Sequence, residues 1–361
     1  MRMAISLGAR GLGQVWPNPA VGCVLVRNGR VLARGWTQAG GRPHAEAIAL
    51  ADCDARGATA YVSLEPCAHY GKTPPCAETL VTAGVTRVVT ALTDPDPRVS
   101  GGGHSLLRAA GIEVVEGVEG VAARRVNEGF LMRVTQGRPF VTLKLALTLD
   151  GRIATSAGES RWITCPEARA RVHLMRARYD GVLVGAGTVR ADDPDLRVRG
   201  LGIAHQPVRI VATRLLDLPQ DGRLARSAHE APVWLLHGSA APQSARAQWQ
   251  ARGTELIDCG PESGISEALD PQAMLWALGD RGLTRVLCEG GGALAASLMR
   301  AGLVDELVIF SAGKVIGAEG LAGLGELGLE ALAEAPQFRL CALEKVGQDV
   351  LHRWLRVSER R

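Results

Sequence analysis

The chain is poor in the features that mark several classes of protein. Aromatic residues make up 4% of its 361 residues, and the formal net charge is +4. Nucleic-acid-binding surfaces need more stacking area and more positive charge than this. No apolar run approaches the length of a membrane span. We therefore expect small-molecule partners, with no nucleic acid and no membrane among them, and the slight positive charge favours an anionic ligand.

The cysteines and the first residues exclude a secreted scaffold. The eight cysteines lack the dense spacing of a disulfide framework. Met1 to Gln14 form a short amphipathic pattern that contains Arg2 and Arg10, so we expect no signal peptide. Both observations favour a reducing cytoplasm. There a cluster of cysteine and histidine indicates a metal site or catalysis before it indicates a disulfide.

The length of the chain predicts two domains, because 361 residues are too many for one core. A loop-like break at residues 135–139 separates a first domain, 1–137, from a second, 138–361. Helices and strands alternate in both halves, which predicts an α/β chain with a mostly parallel sheet in the second domain. The patterns predict helices at residues 2–12, 45–51, 77–83 and 166–178, and strands at 21–26, 31–36, 60–64, 85–92, 140–147, 181–184, 208–213, 233–237, 255–258, 285–288 and 306–310.

Two short stretches of the first domain carry the strongest chemical signal. One contains His44 and Glu46, and the other contains Pro66, Cys67 and, nine residues on, Cys76. One imidazole and two thiolates suit tetrahedral zinc with a fourth position open for water. A glutamate two residues from the histidine is placed to move the protons of that water. The arrangement is typical of zinc-dependent nucleobase deaminases.

Two other interpretations of these residues are possible. A zinc ion that only stabilises the fold would need a fourth protein ligand, and His69 is the nearest candidate. Alternatively, the cysteines are buried and inert and His44 faces solvent. We favour the open site, because structural zinc sites are closed whereas three-ligand sites are left open for chemistry.

The spacing of the two cysteines points to one family. Eight residues, 68–75, separate Cys67 from Cys76, where the usual deaminase pattern has two. With segments 17–24 and 39–46, this insertion resembles the bifunctional riboflavin-biosynthesis family, in which diaminohydroxyphosphoribosylaminopyrimidine deaminase is fused to 5-amino-6-(5-phosphoribosylamino)uracil reductase. The resemblance covers nearly the whole chain.

The resemblance implies a cytidine-deaminase-like α/β/α first domain that binds zinc. His44, Cys67 and Cys76 would be the zinc ligands, and Glu46 would be the catalytic proton donor and acceptor. The insertion, with His69 and Lys72, either lies over the pocket or is a surface loop. Asn18, between two prolines, either hydrogen-bonds the pyrimidine or caps a turn.

In the second domain the residues alone say less. Segment 286–297 has the pattern of a strand, a glycine turn and a helix start, which fits either a phosphate contact or an ordinary turn. Segment 185–188 offers a second turn of the same kind. Neither matches the G-x-G-x-x-G fingerprint, so a Rossmann fold is not supported.

Segments 144–152, 158–164 and 191–196 resemble the reductase half of the same family, which is similar in fold to dihydrofolate reductase and uses NADPH. The implied cofactor-binding residues are Leu147, Trp162, Thr188, Asp192, Gly291, Gly292, Ala293, Leu294, Ala295, Ala296 and Ser297. The implied substrate-binding residues are Ser160, Arg176, Leu196, Arg199 and Glu289. Arginine suits a ribose phosphate because its guanidinium fork matches phosphate oxygens.

Two residues of this half keep alternative interpretations. Arg214 stands where the family often has a serine near the cofactor, and it either contacts the NADPH 2′-phosphate or points into solvent. Asp150 either stabilises cationic character or relays a proton in hydride transfer, or is a turn residue before Gly151.

The expected function is therefore two steps of riboflavin synthesis, performed by an enzyme that the family suggests is a homo-oligomer, dimer or tetramer. The substrate would be a phosphorylated pyrimidine and the cofactors Zn²⁺ and NADPH. Two rival interpretations remain. One is a nucleic-acid deaminase with an unrelated second module, and the other is a chain with one or both catalytic halves inactive that survives as an assembly or binding subunit.

Overall fold

The structure, a computed structural model, describes residues 1–70, 74–96, 100–260 and 268–357. The chain divides into two units, one made of Met1–Arg138 with Gly282–Thr284 and the other of Pro139–Arg281 with Arg285–Arg361. The functional division into 1–137 and 138–361 stays a prediction. Among the described residues, every helix is too short or too polar to cross a membrane.

A five-stranded sheet organises the first unit, in the order β2-β1-β3-β4-β5. Strands β1, β2 and β3 pair antiparallel, whereas β3, β4 and β5 pair parallel. The pair Asn28-Gly29 between strands 21–26 and 31–36 predicts a two-residue hairpin turn. These residues have φ of 53° and 73°, the left-handed backbone that such a turn requires, so the hairpin is confirmed. The described elements are β1 (Gly22–Arg27), β2 (Arg30–Trp36), β3 (Thr59–Val62), β4 (Arg87–Thr90), β5 (Glu113–Val115), α1 (Arg2–Gly8), α2 (Ala45–Leu50), α3 (Cys76–Thr82), α4 (Gly102–Ala109) and α5 (Gly120–Gln136).

The core of the first unit follows the alternation of strand β1. Cys23 and Leu25 are fully buried in one apolar cluster with Leu80 of α3. Val24, which points to the opposite face, packs in a second cluster with Leu7 of α1. Helices therefore cover both faces of the sheet, as the resemblance implies.

The segment predicted as a break begins inside a helix. Helix α5 continues to Gln136 and ends at Gly137, whose φ of 72° is the left-handed C-cap that glycine supplies. The predicted loop at 135–139 is therefore wrong for Thr135 and Gln136, because the glycine and not the threonine ends the helix. The first predicted helix is also shorter than expected, since α1 ends at Gly8 and a 3₁₀ turn follows.

A nine-stranded sheet organises the second unit, in the order β11-β10-β9-β8-β12-β6-β13-β16-β15. The strands from β11 to β13 in this order run parallel, and the edge pair β16 and β15 runs antiparallel. The mostly parallel sheet is thereby confirmed. The described elements are β6 (Phe140–Thr148), β7 (Arg152–Ala154), β8 (Gly181–Gly185), β9 (Val208–Ala212), β10 (Val233–His237), β11 (Glu255–Asp258), β12 (Arg285–Gly290), β13 (Glu306–Ala312), β14 (Leu321–Ala322), β15 (Phe338–Val346), β16 (Asp349–Arg356), α6 (Pro166–Arg176), α7 (Ala186–Asp192), α8 (Arg223–Arg226), α9 (Gln243–Gln250), α10 (Pro271–Asp280) and α11 (Gly292–Arg300).

The central strands of this sheet are buried on both faces, as in other parallel sheets. Strands β8, β9 and β12 all end in short glycine-containing or polar turns, and these turns lie at one edge of the sheet because the strands are parallel. Ligands of open α/β sheets bind outside this carboxyl edge. The fold therefore places the two predicted segments, 185–188 and 286–297, where a ligand is expected. Residues 186–188 belong to α7 and residues 292–297 to α11, so each turn is confined to the glycines before its helix.

Candidate functional site

His44, Cys67 and Cys76 form a metal-binding group in the first unit. Their ligand atoms all lie within 4.8 Å of one another. The His44 Nδ1 atom is 3.3 Å from Cys76 Sγ and 3.7 Å from Cys67 Sγ. Ligands on one tetrahedral zinc ion stand about 3.4–3.8 Å apart, given Zn–N and Zn–S bonds of about 2.0–2.3 Å. The donor set and its spacing thus fit zinc.

Two helix starts and one loop bring these ligands together. His44 is the N-cap of α2, and Cys76 is the first residue of α3. Cys67 follows strand β3 and accepts a hydrogen bond from the Cys76 backbone N–H, at 3.3 Å. Backbone N–H groups at a helix start favour a thiolate, so the predicted convergence of two helix starts is what the structure shows.

A glycine in strand β2 allows helix α2 to pack closely against that strand. A Cβ atom on Gly35 of strand β2 would lie 2.2 Å from the Ala45 carbonyl oxygen and 2.7 Å from the Ala49 nitrogen. Only glycine lets the helix backbone come this close to the strand. His44 and Glu46 are therefore placed by a residue that the sequence reasoning did not single out.

Glu46 is buried beside the metal-binding group, with 4% of its surface exposed. Burial raises the pKa of its carboxyl group to about 7, and the charge of Cys67 acts in the same direction. Hydrogen bonding to Cys76 opposes this shift. Because both cysteines act on it, the Glu46 side chain must lie next to the metal-binding group. A residue that exchanges protons during deamination has to be in this position.

The two thiols have pKa values that are shifted in opposite directions. The Cys76 thiol donates to Cys67, which lowers the pKa of Cys67 to about 4 and raises the pKa of Cys76 well above its usual value. A divalent ion would convert both cysteines to thiolates.

The closed structural zinc site is not supported. His69 is exposed and lies outside the His44, Cys67 and Cys76 group, which is the metal-binding group found in the described part of the chain. Among the residues that the structure describes, no fourth protein ligand joins the three, and such a donor set would leave a zinc ion open to water. Lys72 falls outside the described residues, so the two interpretations of the 68–75 insertion stay open.

Glu65 is a residue of this region that the sequence reasoning missed. Its side chain is fully buried, and its two carboxylate oxygens accept backbone N–H groups from Asp94, Gly101, Gly103 and His104, at 3.0–3.2 Å. These contacts tie the start of α4 to the segment that carries Cys67. The available signal was an acidic residue directly before the Pro66-Cys67 motif, at the end of an apolar segment.

The second unit contains a cavity of about 1320 Å³ at the carboxyl edge of its sheet. Thr188 joins the two predicted glycine turns there, because its hydroxyl donates to the Gly290 carbonyl at 3.3 Å. The predicted residues that line the cavity are Ser160, Trp162, Arg176, Thr188, Asp192, Leu196, Arg199, Glu289, Gly291, Gly292, Ala293, Leu294 and Ser297. Leu147, Ala295 and Ala296 are not among the described lining residues, and Ala295 and Ala296 are buried inside the unit.

Arg176 and Glu289 are paired with each other within this cavity. Both hydrogen bonds of the guanidinium fork reach the carboxylate, at 2.5 and 2.9 Å, and Arg176 also donates to the Arg197 carbonyl at 3.1 Å. Lys144 lines the same wall, and burial lowers the pKa of its amine. Lys144 lay in a segment that supported the resemblance, but sequence reasoning gave it no role.

Arg214 follows strand β9 and lines the cavity. Its side chain is half-buried and forms no hydrogen bond or ion pair with any residue that the structure describes. Arg190 and Arg223, which line the cavity near it, are already opposed by Asp217 and Asp193. Arg214 is therefore a cation available to an anionic ligand.

Comparison with known proteins identifies both halves of the chain. Residues 1–92 match the family model described as the cytidine and deoxycytidylate deaminase zinc-binding region, and residues 139–352 match the RibD C-terminal domain. The chain is thus a zinc-binding deaminase joined to a reductase of the dihydrofolate reductase-like fold.

Full-length relatives have the same arrangement. The chain is 40% identical to the riboflavin biosynthesis protein RibD of Escherichia coli, over 97% of this chain and 96% of that protein. The solved Acinetobacter baumannii RibD has a TM-score of 0.88 at 37% identity, covering 99% of this chain and 98% of its own. A diaminohydroxyphosphoribosylaminopyrimidine deaminase/5-amino-6-(5-phosphoribosylamino)uracil reductase from Thermotoga maritima has a TM-score of 0.86 at 36% identity, covering 99% and 97%. The chain belongs to the RibD family of bifunctional deaminase/reductases of riboflavin biosynthesis.

Proposed function

We propose that residues 1–137 deaminate 2,5-diamino-6-ribosylamino-4(3H)-pyrimidinone 5′-phosphate and that residues 138–361 then reduce the ribosyl side chain with NADPH. The product is 5-amino-6-ribitylamino-uracil 5′-phosphate. The observation that carries the proposal is the grouping of His44, Cys67 and Cys76 around one point with the buried Glu46 beside them. Family membership over nearly the full length supports both steps.

In the deaminase half, His44, Cys67 and Cys76 would hold a zinc ion. When bound, zinc supplies Lewis acidity that makes water a nucleophile near neutral pH. Glu46 takes a proton from the attacking water and passes it to a pyrimidine ring nitrogen. It then carries the proton of the newly formed C–OH group to the amine, so that the C–N bond breaks, the carbonyl forms and ammonia leaves. Burial of Glu46 supports this assignment, because it brings the pKa of the carboxyl group to about 7, where the group can both accept and donate a proton.

In the reductase half, the cavity holds the cofactor and the substrate together. Its volume of about 1320 Å³ exceeds that of an ordinary small-ligand pocket, about 300–1000 Å³. NADPH, when bound, supplies the hydride. The glycine turn and Thr188 orient the cofactor phosphates, and Trp162 and Asp192 lie at the same wall. Arg176, Arg199 and Glu289 orient the substrate so that its ring-opened ribosyl carbon accepts the hydride.

The remaining assignments concern the surroundings of the enzyme. We propose a phosphorylated pyrimidine as the partner, a cytoplasmic location and a homo-oligomer, dimer or tetramer. Support comes from the described helices, none of which is long and apolar enough to cross a membrane, and from the family resemblance for the assembly.

The experiment uses the purified chain and follows each step separately. Ammonia release from the diaminopyrimidine substrate reports the deaminase, and loss of NADPH absorbance with the deaminated substrate reports the reductase. Removing the metal with a chelator should abolish ammonia release and leave NADPH oxidation unchanged, and added Zn²⁺ should restore it. Ammonia release at the original rate without metal would overturn the deaminase assignment. No NADPH oxidation by the fully folded chain would overturn the reductase assignment.

A further inference from the structure

A segment of the second unit, residues 314–325, lies against the predicted cofactor turn, and we call it the strap. It follows strand β13 and contains the short strand β14. Leu321 and Gly323 of the strap line the cavity. The strap therefore forms part of the cavity wall.

Asp150 holds the first end of the strap. Its carboxylate accepts the backbone N–H groups of Ile316, at 3.2 Å, and Gly317, at 2.7 Å. The Thr148 hydroxyl donates to the same carboxylate at 2.5 Å. The Leu149 N–H donates to the Lys314 carbonyl at 2.8 Å. Two consecutive strap N–H groups thus depend on this one side chain.

The middle of the strap pairs with β7, and its far end contacts Gly292, the first residue of α11. Strand β14 pairs antiparallel with β7, and the Gly325 N–H donates to the Gly292 carbonyl at 3.0 Å. A Cβ atom on Gly323 would lie 2.3 Å from Leu147 Cδ2, and one on Gly325 would lie 3.1 Å from the Gly292 oxygen and 3.4 Å from Ala296 Cβ. The strap packs directly on Leu147 and Ala296, which explains why these two predicted cofactor residues do not line the cavity.

The position of the strap matters to the turn beneath it. Gly290 and Gly291 have φ of 98° and 90°, so the turn before α11 is held by little of its own side-chain packing. The first N–H groups of α11 have no partners within the helix and are the groups that bind phosphate. A contact on Gly292 from the strap therefore restricts where those N–H groups point.

We propose that Asp150 is a positioning residue of the reductase half: by holding the strap against Gly292 and Leu147, it fixes the glycine turn that binds the cofactor phosphates. This inference rests on the proposed NADPH-dependent reduction. Asp150 itself need not touch the cofactor or the substrate.

The surroundings of Asp150 argue against the proton-relay interpretation. Hydrogen bonds from the Thr148 hydroxyl and the Gly317 N–H lower the pKa of its carboxyl group to about 2. The group is therefore ionised throughout the neutral range and has no proton to deliver. A charged acceptor also makes stronger hydrogen bonds to the strap N–H groups than a neutral one.

The test compares Asp150→Ala and Asp150→Asn with the original chain. NADP⁺ binding is measured by calorimetry, and KM and kcat for NADPH by the reductase assay. We expect Asp150→Ala to weaken NADP⁺ binding and raise the KM for NADPH by about tenfold or more while kcat changes less. Asp150→Asn, which keeps one acceptor oxygen, should recover much of the loss, and its kcat should have the original pH profile.

The matched control is Asp258→Asn. Asp258 also accepts a backbone N–H and a hydroxyl, from Gly260 at 2.9 Å and Ser239 at 3.1 Å, but it does not line the cavity. Its substitution should leave NADP⁺ binding unchanged. Ammonia release by the same chains reports that the first unit is intact, and thermal unfolding followed by circular dichroism reports the second.

A second variant keeps Asp150 and disturbs the other end of the strap. Gly325→Ala should also weaken NADP⁺ binding, because its methyl group would press on Gly292 and Ala296. Original NADP⁺ affinity in both Asp150→Ala and Gly325→Ala would overturn the inference, as would a kcat loss at unchanged KM. Failure of the original chain to bind NADP⁺ would instead overturn the proposed cofactor, so the two failures are distinguishable.

Discussion

The guanidinium of Arg176 and the carboxylate of Glu289 meet in a two-point ion pair inside the reductase cavity, with 11% and 10% of their side chains exposed. The resemblance implied that each residue binds substrate. The structure adds that each neutralises the other before any substrate arrives. The pair therefore offers a substrate fixed donors and acceptors with little net charge.

Because of this pairing, we expect substitution of Glu289 to lower the stability of the fold as well as the rate of reduction. Glu289→Gln should lower the free energy of unfolding by about 3–5 kcal/mol, because it leaves the Arg176 charge nearly buried without its partner. Urea titration measures this value, and the double variant Arg176→Met with Glu289→Gln should recover part of it. Ammonia release should stay unchanged in both variants. Equal stability of Glu289→Gln and the original chain would contradict the prediction.

Glu46→Gln separates proton transfer from metal binding. Ammonia release should fall by about a hundredfold to ten-thousandfold, since an amide cannot move protons for the attacking water and the leaving amine. Zinc content, measured by elemental analysis, should stay at the level of the original chain because Glu46 is not a ligand. The control is Glu113→Gln, which removes an exposed carboxylate that is paired with Arg87. Unchanged ammonia release in Glu46→Gln would show that another group moves the protons.

Much of the fold was predictable because its signals are local. Strands β10 and β11 have the predicted bounds, and the Asn28-Gly29 pair correctly predicts a hairpin turn. The C-terminal hairpin of β15 and β16 was not predicted. Its strands lie at the edge of the sheet. Strand β15 is mostly exposed and mixes apolar with charged residues, so its sequence lacks the regular alternation of apolar and polar residues that predicts a strand.

The metal site was predictable from spacing, whereas the residues that position it were not. His44, Cys67 and Cys76 are recognisable by residue type, but Gly35 and Glu65 act through backbone contacts that only the folded chain reveals. The same holds for the strap. Its packing on Leu147 depends on contacts between residues far apart in sequence, and local sequence patterns do not predict such contacts.

Gly35→Ala tests whether the close approach of α2 to β2 holds the zinc ligands. The added methyl group would lie 2.2 Å from the Ala45 carbonyl, so the helix must move and the unfolding free energy should fall by about 1–3 kcal/mol. Zinc should then be lost at lower chelator concentrations. Gly102→Ala is the control, because its Cβ would have a single ordinary contact, 3.4 Å from Ala68. Equal zinc retention in Gly35→Ala and the original chain would count against this role.

Substitution of Arg214 tests whether this residue makes the reductase half prefer NADPH to NADH. Its guanidinium lies at the cavity wall and pairs with no residue in the described part of the chain. This favours the first of the two sequence interpretations, a contact with the 2′-phosphate that distinguishes NADPH from NADH. Arg214→Ser should weaken binding of NADP⁺ by about tenfold to a hundredfold, the size expected for losing hydrogen bonds to a charged group. Binding of NAD⁺, which lacks the 2′-phosphate, should change little. Calorimetry with both dinucleotides measures the ratio of the two affinities, and Arg246→Ser, which removes an arginine outside the cavity lining, should leave that ratio unchanged. If Arg214→Ser weakens both dinucleotides equally, the arginine supports the cavity wall and the selectivity for the phosphate must come from other residues.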